Sequence, residues 1–107
     1  MTSQRQTWQA EIVDTMKTNI VRILNEIVAF NKTQDAKERK IHVGNVAGYA
    51  KVFTEYLRQI AEGRQWPDSI VETWTRLWET WDNGNGNATE AQMLARRLME
   101  AFSQIEP

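Results

Sequence analysis

The sequence predicts an all-α protein: a four-helix bundle, two helix–loop–helix units in an antiparallel up-down arrangement, with a long first helix. Three observations carry this. Apolar residues recur at three- and four-residue steps over four separate stretches. No segment shows the alternation of a half-buried strand. The links between stretches are short and rich in Gly, Asn or charge, and short links favour antiparallel neighbours. The 107 residues suit a single domain, 1–107, able to bury a core without covalent staples.

The first helix is expected over 3–33. Trp8, Ile12, Met16, Ile20, Ile23, Leu24, Ile27 and Phe30 share one stripe, which Val13, Val21 and Val28 widen. Ser3 with Gln6 has capping-box spacing. At its full length of roughly 45 Å this helix would exceed a compact domain of this size. Either it bends, with Thr15, Thr18 and Asn19 as weak helix formers, or one end projects and its apolar stripe needs a partner. Lys32–Lys40 has no large apolar side chain and reads as a solvated loop or a frayed helix end.

The second helix is expected over 45–62, burying Val46, Tyr49, Ala50, Phe53, Tyr56, Leu57 and Ile60, with Gly63 as its C-cap. Gly44 and Gly48 weaken its start or let another backbone approach. The third is expected over 67–82. Pro67 suits a first turn, Asp68 complements the helix dipole, and Ile70, Trp74, Leu77, Trp78 and Trp81 follow at helical spacing. Asn83–Asn87 breaks the chain. The fourth is expected over 88–104, capped by Asn87 with Glu90 or by Thr89 with Gln92. Its apolar face is Ala91, Leu94, Ala95, Leu98, Ala101, Phe102 and Ile105.

Composition removes whole classes of function. There is no cysteine, which excludes disulfides, zinc–thiolate sites and cysteine nucleophiles. His42 is the single histidine, so one chain cannot build a two-histidine metal site. A lone histidine beside a loop reads as a surface or capping residue. No Walker-type phosphate loop is present, and Gly84–Gly86 lacks the Lys-Ser/Thr that would follow. Carboxylate pairs such as Glu11 with Asp14, or Glu72 with Glu79, read as solvated faces. No enzyme activity, metal or cofactor is expected. The start, Met1 to Gln6, has no signal-peptide pattern, and no run approaches the roughly 20 apolar residues of a membrane span, so a cytoplasmic location is expected.

Net charge is −1, which does not suggest a general nucleic-acid binder. The charge is uneven: residues 1–64 hold ten Lys/Arg against seven Asp/Glu, and residues 65–107 hold three against seven. Such polarity can orient a head-to-tail contact or face a charged partner; chance scatter gives it too.

Five tryptophans are many for this length. Indole is a favoured interface anchor and an equally good core residue. Trp74, Trp78 and Trp81 share one helix face with Ile70 and Leu77, whereas Trp8 and Trp66 lie off that stripe and are expected to be more exposed. With Ile12, these five are the candidate partner-binding residues. Lys32, Lys37, Arg39, Lys40 and Lys51 form a candidate basic patch for phosphates, diluted by Asp35 and Glu38. Gly44–Gly63 has the length of a helix-turn-helix unit, but its turn glycine is misplaced for that motif.

Trp81-Asp82-Asn83-Gly84-Asn85-Gly86-Asn87-Ala88-Thr89 resembles the start of an EF-hand calcium loop, and Trp74, Leu77, Trp78 and Trp81 have the spacing of the helix before it. The twelfth position is Met93 counted from Asp82, or Gln92 when Gly86 is aligned, so the closing carboxylate is missing. The resemblance implies at most a degenerate, calcium-free module.

The leading expectation is a non-catalytic helical interaction module, a regulator, adaptor or inhibitor, binding a protein partner or pairing as a homodimer through helix 1. The alternative is a nucleic-acid-associated protein using the basic 32–51 region.

Overall fold

The computed structural model describes residues 2–61 and 67–104, with side chains over 11–58 and 67–104. The expected Ser3–Gln6 box, the Gly63 cap and the side chains of Trp8, Ile60, Trp66 and Ile105 lie outside the described residues. Four α-helices follow one another: α1 Thr2–Lys32, α2 Ala36–Ala61, α3 Asp68–Trp81 and α4 Ala88–Ser103, with a short 3-10 turn at Asp82–Gly84. No strand occurs among the described residues.

The topology is up-down-up-down. At one end the Phe30 ring meets Trp81 edge-on at 5.1 Å, and Asn31 Nδ2 donates to Ala88 O and Gln92 Oε1. The end of α1, the end of α3 and the start of α4 therefore share one level. In the middle, Phe53 packs on Trp74 at 4.4 Å and on Phe102 at 5.8 Å. The backbone of α1 lies close to α2 and α4, and α3 lies close to α4. The backbones of α2 and α3 stay further apart, so that seam is the open one.

The core stripe of α1 is Val13, Met16, Ile20, Ile23, Ile27 and Phe30, an unbroken three–four alternation, with Ile12 beside it. Val21 does not widen the stripe as expected: it is 38% exposed, because its register turns it to the outer face. Helix α1 is continuous. The Thr15 and Thr18 hydroxyls donate back to the carbonyls of Glu11 and Asp14, which satisfies them without breaking the helix. It runs 31 residues beside the 26 of α2, and the molecule measures 52 × 21 × 20 Å.

The largest departure from the sequence reading is the start of α2, nine residues earlier than expected. The expected loop over 32–40 reduces to Thr33, Gln34 and Asp35. Asp35 is the physical reason. Its Oδ1 accepts from Lys37 N at 3.0 Å, and its carbonyl accepts from Arg39 N at 2.9 Å, so it occupies the N-cap position. Glu38 Oε2 accepts from the Thr33 hydroxyl at 2.6 Å. Arg39 supplies the burial that the segment's apolar residues do not: its guanidinium lies 4.7 Å above the Phe30 ring, and Nε donates to Thr33 O. Further on, Tyr49, Tyr56 and Leu57 are half-buried rather than fully inside.

Pro67 is the N-cap of α3 rather than its first helical residue, with φ −54° and ψ 138°. The α3–α4 turn runs through left-handed backbone at Asp82 (φ 41°), Asn83 (φ 54°) and Gly84 (φ 82°). Gly86 N donates to Trp81 O, and a Cβ at Gly86 would stand 1.9 Å from Thr80 O, so only glycine fits there. Of the two capping arrangements open for α4, the structure uses Asn87, whose Oδ1 accepts from Glu90 N.

Candidate interaction surface

The structure separates the tryptophans that the sequence groups together. Trp81 is fully buried and Trp74 nearly so, while Trp78, on the same helix, is 36% exposed and stacks on Trp74 at 5.9 Å. Ile12 is in the core. Helix geometry explains the split. Ile70, Trp74, Leu77 and Trp81 fall within a narrow arc, whereas Trp78 turns about 60–70° off it, toward α2. Trp81 Nε1 is buried and meets no acceptor. In the seam between α2 and α3, Trp78 forms one wall of a groove of about 280 Å³. Ala47, Ala50, Lys51, Thr54, Glu55 and Arg58 line the rest.

The basic residues divide as well. Arg39 is held against Phe30 and Thr33, and so leaves the patch. Lys32 is exposed at the end of α1. Lys37, Lys40 and Lys51 are exposed on one face of α2, and Arg58, which the sequence reading did not select, extends the row. The positions 37, 40, 44, 47, 51, 54 and 58 alternate by three and four, so one line along the helix reads Lys, Lys, Gly, Ala, Lys, Thr, Arg. Glu38 points to the other side of α2, while the capping carboxylate of Asp35 beside Lys37, and Glu55 further along, place negative charge next to the row. The spacing was invisible while 32–40 counted as loop.

Helix α3 answers with the same spacing. Asp68, Val71, Thr75, Trp78 and Asp82 alternate by three and four, and all are exposed, with Glu79 and Glu72 on the outer flank. The two edges of the seam therefore carry opposite charge, cationic along α2 and anionic along α3. Gly44 and Gly48 sit on the α2 edge, with nothing within 4 Å of an added Cβ. Among the described residues the one carboxylate–cation contact is His42 with Glu26, and none joins the charges of the seam.

That ion pair lies between α1 and α2. Glu26 accepts from Nδ1 of His42 and from Asn45 Nδ2, which fastens the two long helices. His42 is thus a cross-helix clamp rather than a free surface or capping residue. Arg22 lies 5.6 Å above the Tyr49 ring and adds a second clamp on that side.

The turn that resembles an EF-hand spans six residues, 82–87, half of a twelve-residue calcium loop. Its amides close on Trp81 O and Asp82 O, and residues 88–93, the second half of such a loop, are helical. Among the described residues no group of three or more His, Asp or Glu is arranged to hold a metal ion, and no helix is long and apolar enough to cross a membrane. Comparison with protein-family models, with curated proteins and with solved structures gives no match to this chain.

Proposed function

We infer that the chain is a non-catalytic helical protein–protein interaction module whose docking surface is the seam between α2 and α3. Trp78 carries the reading. A large indole left 36% exposed at the wall of a groove that Ala47, Ala50 and Thr54 floor and Lys51, Glu55 and Arg58 rim is the kind of anchor on which interfaces concentrate their binding energy. Exposed Val71 on the same helix face enlarges the apolar surface. Helix α1 is not the docking element in this reading, because its stripe from Ile12 to Phe30 is spent inside the bundle. Regulator, adaptor and inhibitor are the roles open to such a module.

The test is a photo-crosslinking amino acid at position 78 in the native host. Adducts at 78, absent when the probe stands at exposed Arg96 on α4, are the expected result. No adduct at 78 would overturn the reading.

The row Lys37, Lys40, Lys51 and Arg58 favours a second reading, contact with nucleic acid along α2. Against it, the α3 edge across the groove carries Asp68, Glu72, Glu79 and Asp82, which would repel phosphates. Binding to duplex DNA that weakens steeply with salt, and a slope flattened by Lys37→Ala/Lys40→Ala/Lys51→Ala, would favour this reading over the first.

A further inference from the structure

We propose that the partner at this seam is a second copy of the chain, in an isologous dimer that sets α2 of each copy against α3 of the other. The inference rests on the interaction-module reading and adds the identity of the partner. Its basis is charge complementarity within one surface. A two-fold interface must be complementary to itself, since each patch meets its own copy. The α2 edge offers Lys40, Lys51 and Arg58, and the α3 edge offers Asp68, Glu72 and Glu79, all exposed and none paired within the chain among the described residues. Rotation by a half turn about an axis through the groove brings each cationic edge onto an anionic one, twice over.

The shapes agree with the charges. Along α2 the line between the cations is Gly44 and Ala47, with Gly48 beside it, and nothing fills the space over the two glycines. Along α3 the line between the acids is Val71, Thr75 and Trp78, and two of these are large and apolar. An axis along the groove keeps each residue at its own level, so the small Ala47 of one copy faces the raised Trp78 of the other, with the two glycines just beyond it. Glycine inside a helix weakens it, and no packing within the chain requires either residue here. Close approach of a second helix is what such residues permit.

A heterologous protein with an alternating pattern would fit less economically, since it would have to reproduce both edges. Nucleic acid would satisfy the α2 edge alone and leave the acids of α3 facing phosphate.

The experiment is sedimentation equilibrium of the full chain with two triple variants. Lys40→Glu/Lys51→Glu/Arg58→Glu makes both edges acidic; Asp68→Lys/Glu72→Lys/Glu79→Lys makes both basic. The wild type is expected at twice the 12.5 kDa chain mass. Each variant alone is expected as a monomer with an unchanged circular dichroism spectrum, its dissociation constant raised tenfold or more. An equimolar mixture of the two variants is expected to regain the dimer mass, because every contact is then again between opposite charges. That regain also separates lost pairing from lost folding. A wild-type dimer that both variants leave intact overturns the proposal, since the copies then pair elsewhere. A wild-type monomer at high micromolar concentration also overturns it. If the probe at position 78 then captures a different protein, the interaction-module reading stands and self-pairing alone has failed. If mixed-sequence DNA binds that monomer with steep salt dependence, the nucleic-acid reading replaces both.

Discussion

Trp81 illustrates how much one side chain decides. Among the described residues it is the largest that is fully buried, it holds Phe30 at the closed end of the bundle, and its indole N–H has no acceptor. A buried donor without a partner costs roughly 1–3 kcal/mol. Trp81→Phe removes that cost while giving up part of the packing, so urea denaturation should find it within about 1 kcal/mol of wild type. Trp81→Ala removes the packing outright and should lose about 3–5 kcal/mol. Helical spacing sets Trp81 inside the arc of Ile70, Trp74 and Leu77 and Trp78 at its edge. How far that edge is exposed depends on where α2 and α4 stand. Periodicity gives the phase of a helix relative to itself, and burial depends on its phase relative to its neighbours.

At the scale of the element, α2 teaches the most. Its core residues, Val46, Ala50 and Phe53, were legible from their spacing, and so were α1, α3 and α4 to within a residue or two at each end. Its first nine residues were not, because a search for apolar side chains passes over a helical turn whose burial comes from an arginine lying on a phenylalanine. The signal that could have found it is polar: Asp35 three residues before Glu38, ahead of residues that are mostly good helix formers. Asp35→Ala should therefore cost about 1 kcal/mol and raise amide exchange over 37–41 more than over 50–56, as read by hydrogen exchange. The candidate site follows the same logic. Trp78, Lys37, Lys40 and Lys51 were named from the sequence, but Arg58 and the acidic edge of α3 gain meaning only when α2 is helical throughout and lies beside α3.

For the molecule as a whole, stability and pairing make opposite demands on the same two residues. Gly44 and Gly48 lie in open space inside a helix, so Gly44→Ala/Gly48→Ala should raise the unfolding free energy of the monomer by about 1–2 kcal/mol. In a dimer joined at the seam, the two added methyl groups on each copy hold the helices apart, and the same variant should dissociate at lower dilution than wild type. Thermal unfolding and sedimentation, run on the same samples, should move in opposite directions. If both improve together, these glycines are not at an interface.

The shape of the chain has one more consequence. A body more than twice as long as it is wide experiences more friction than a sphere of equal mass, so a lone chain leaves a gel-filtration column early and imitates a heavier particle. The way two such bodies join is written in their largest dimension. Copies joined side by side along the seam keep a maximum length near the 52 Å of one chain and become stouter as they double in mass. Copies joined end to end through the start of α1 become markedly longer. The pair-distance distribution from small-angle X-ray scattering therefore reads the mode of assembly directly, without any substitution in the protein.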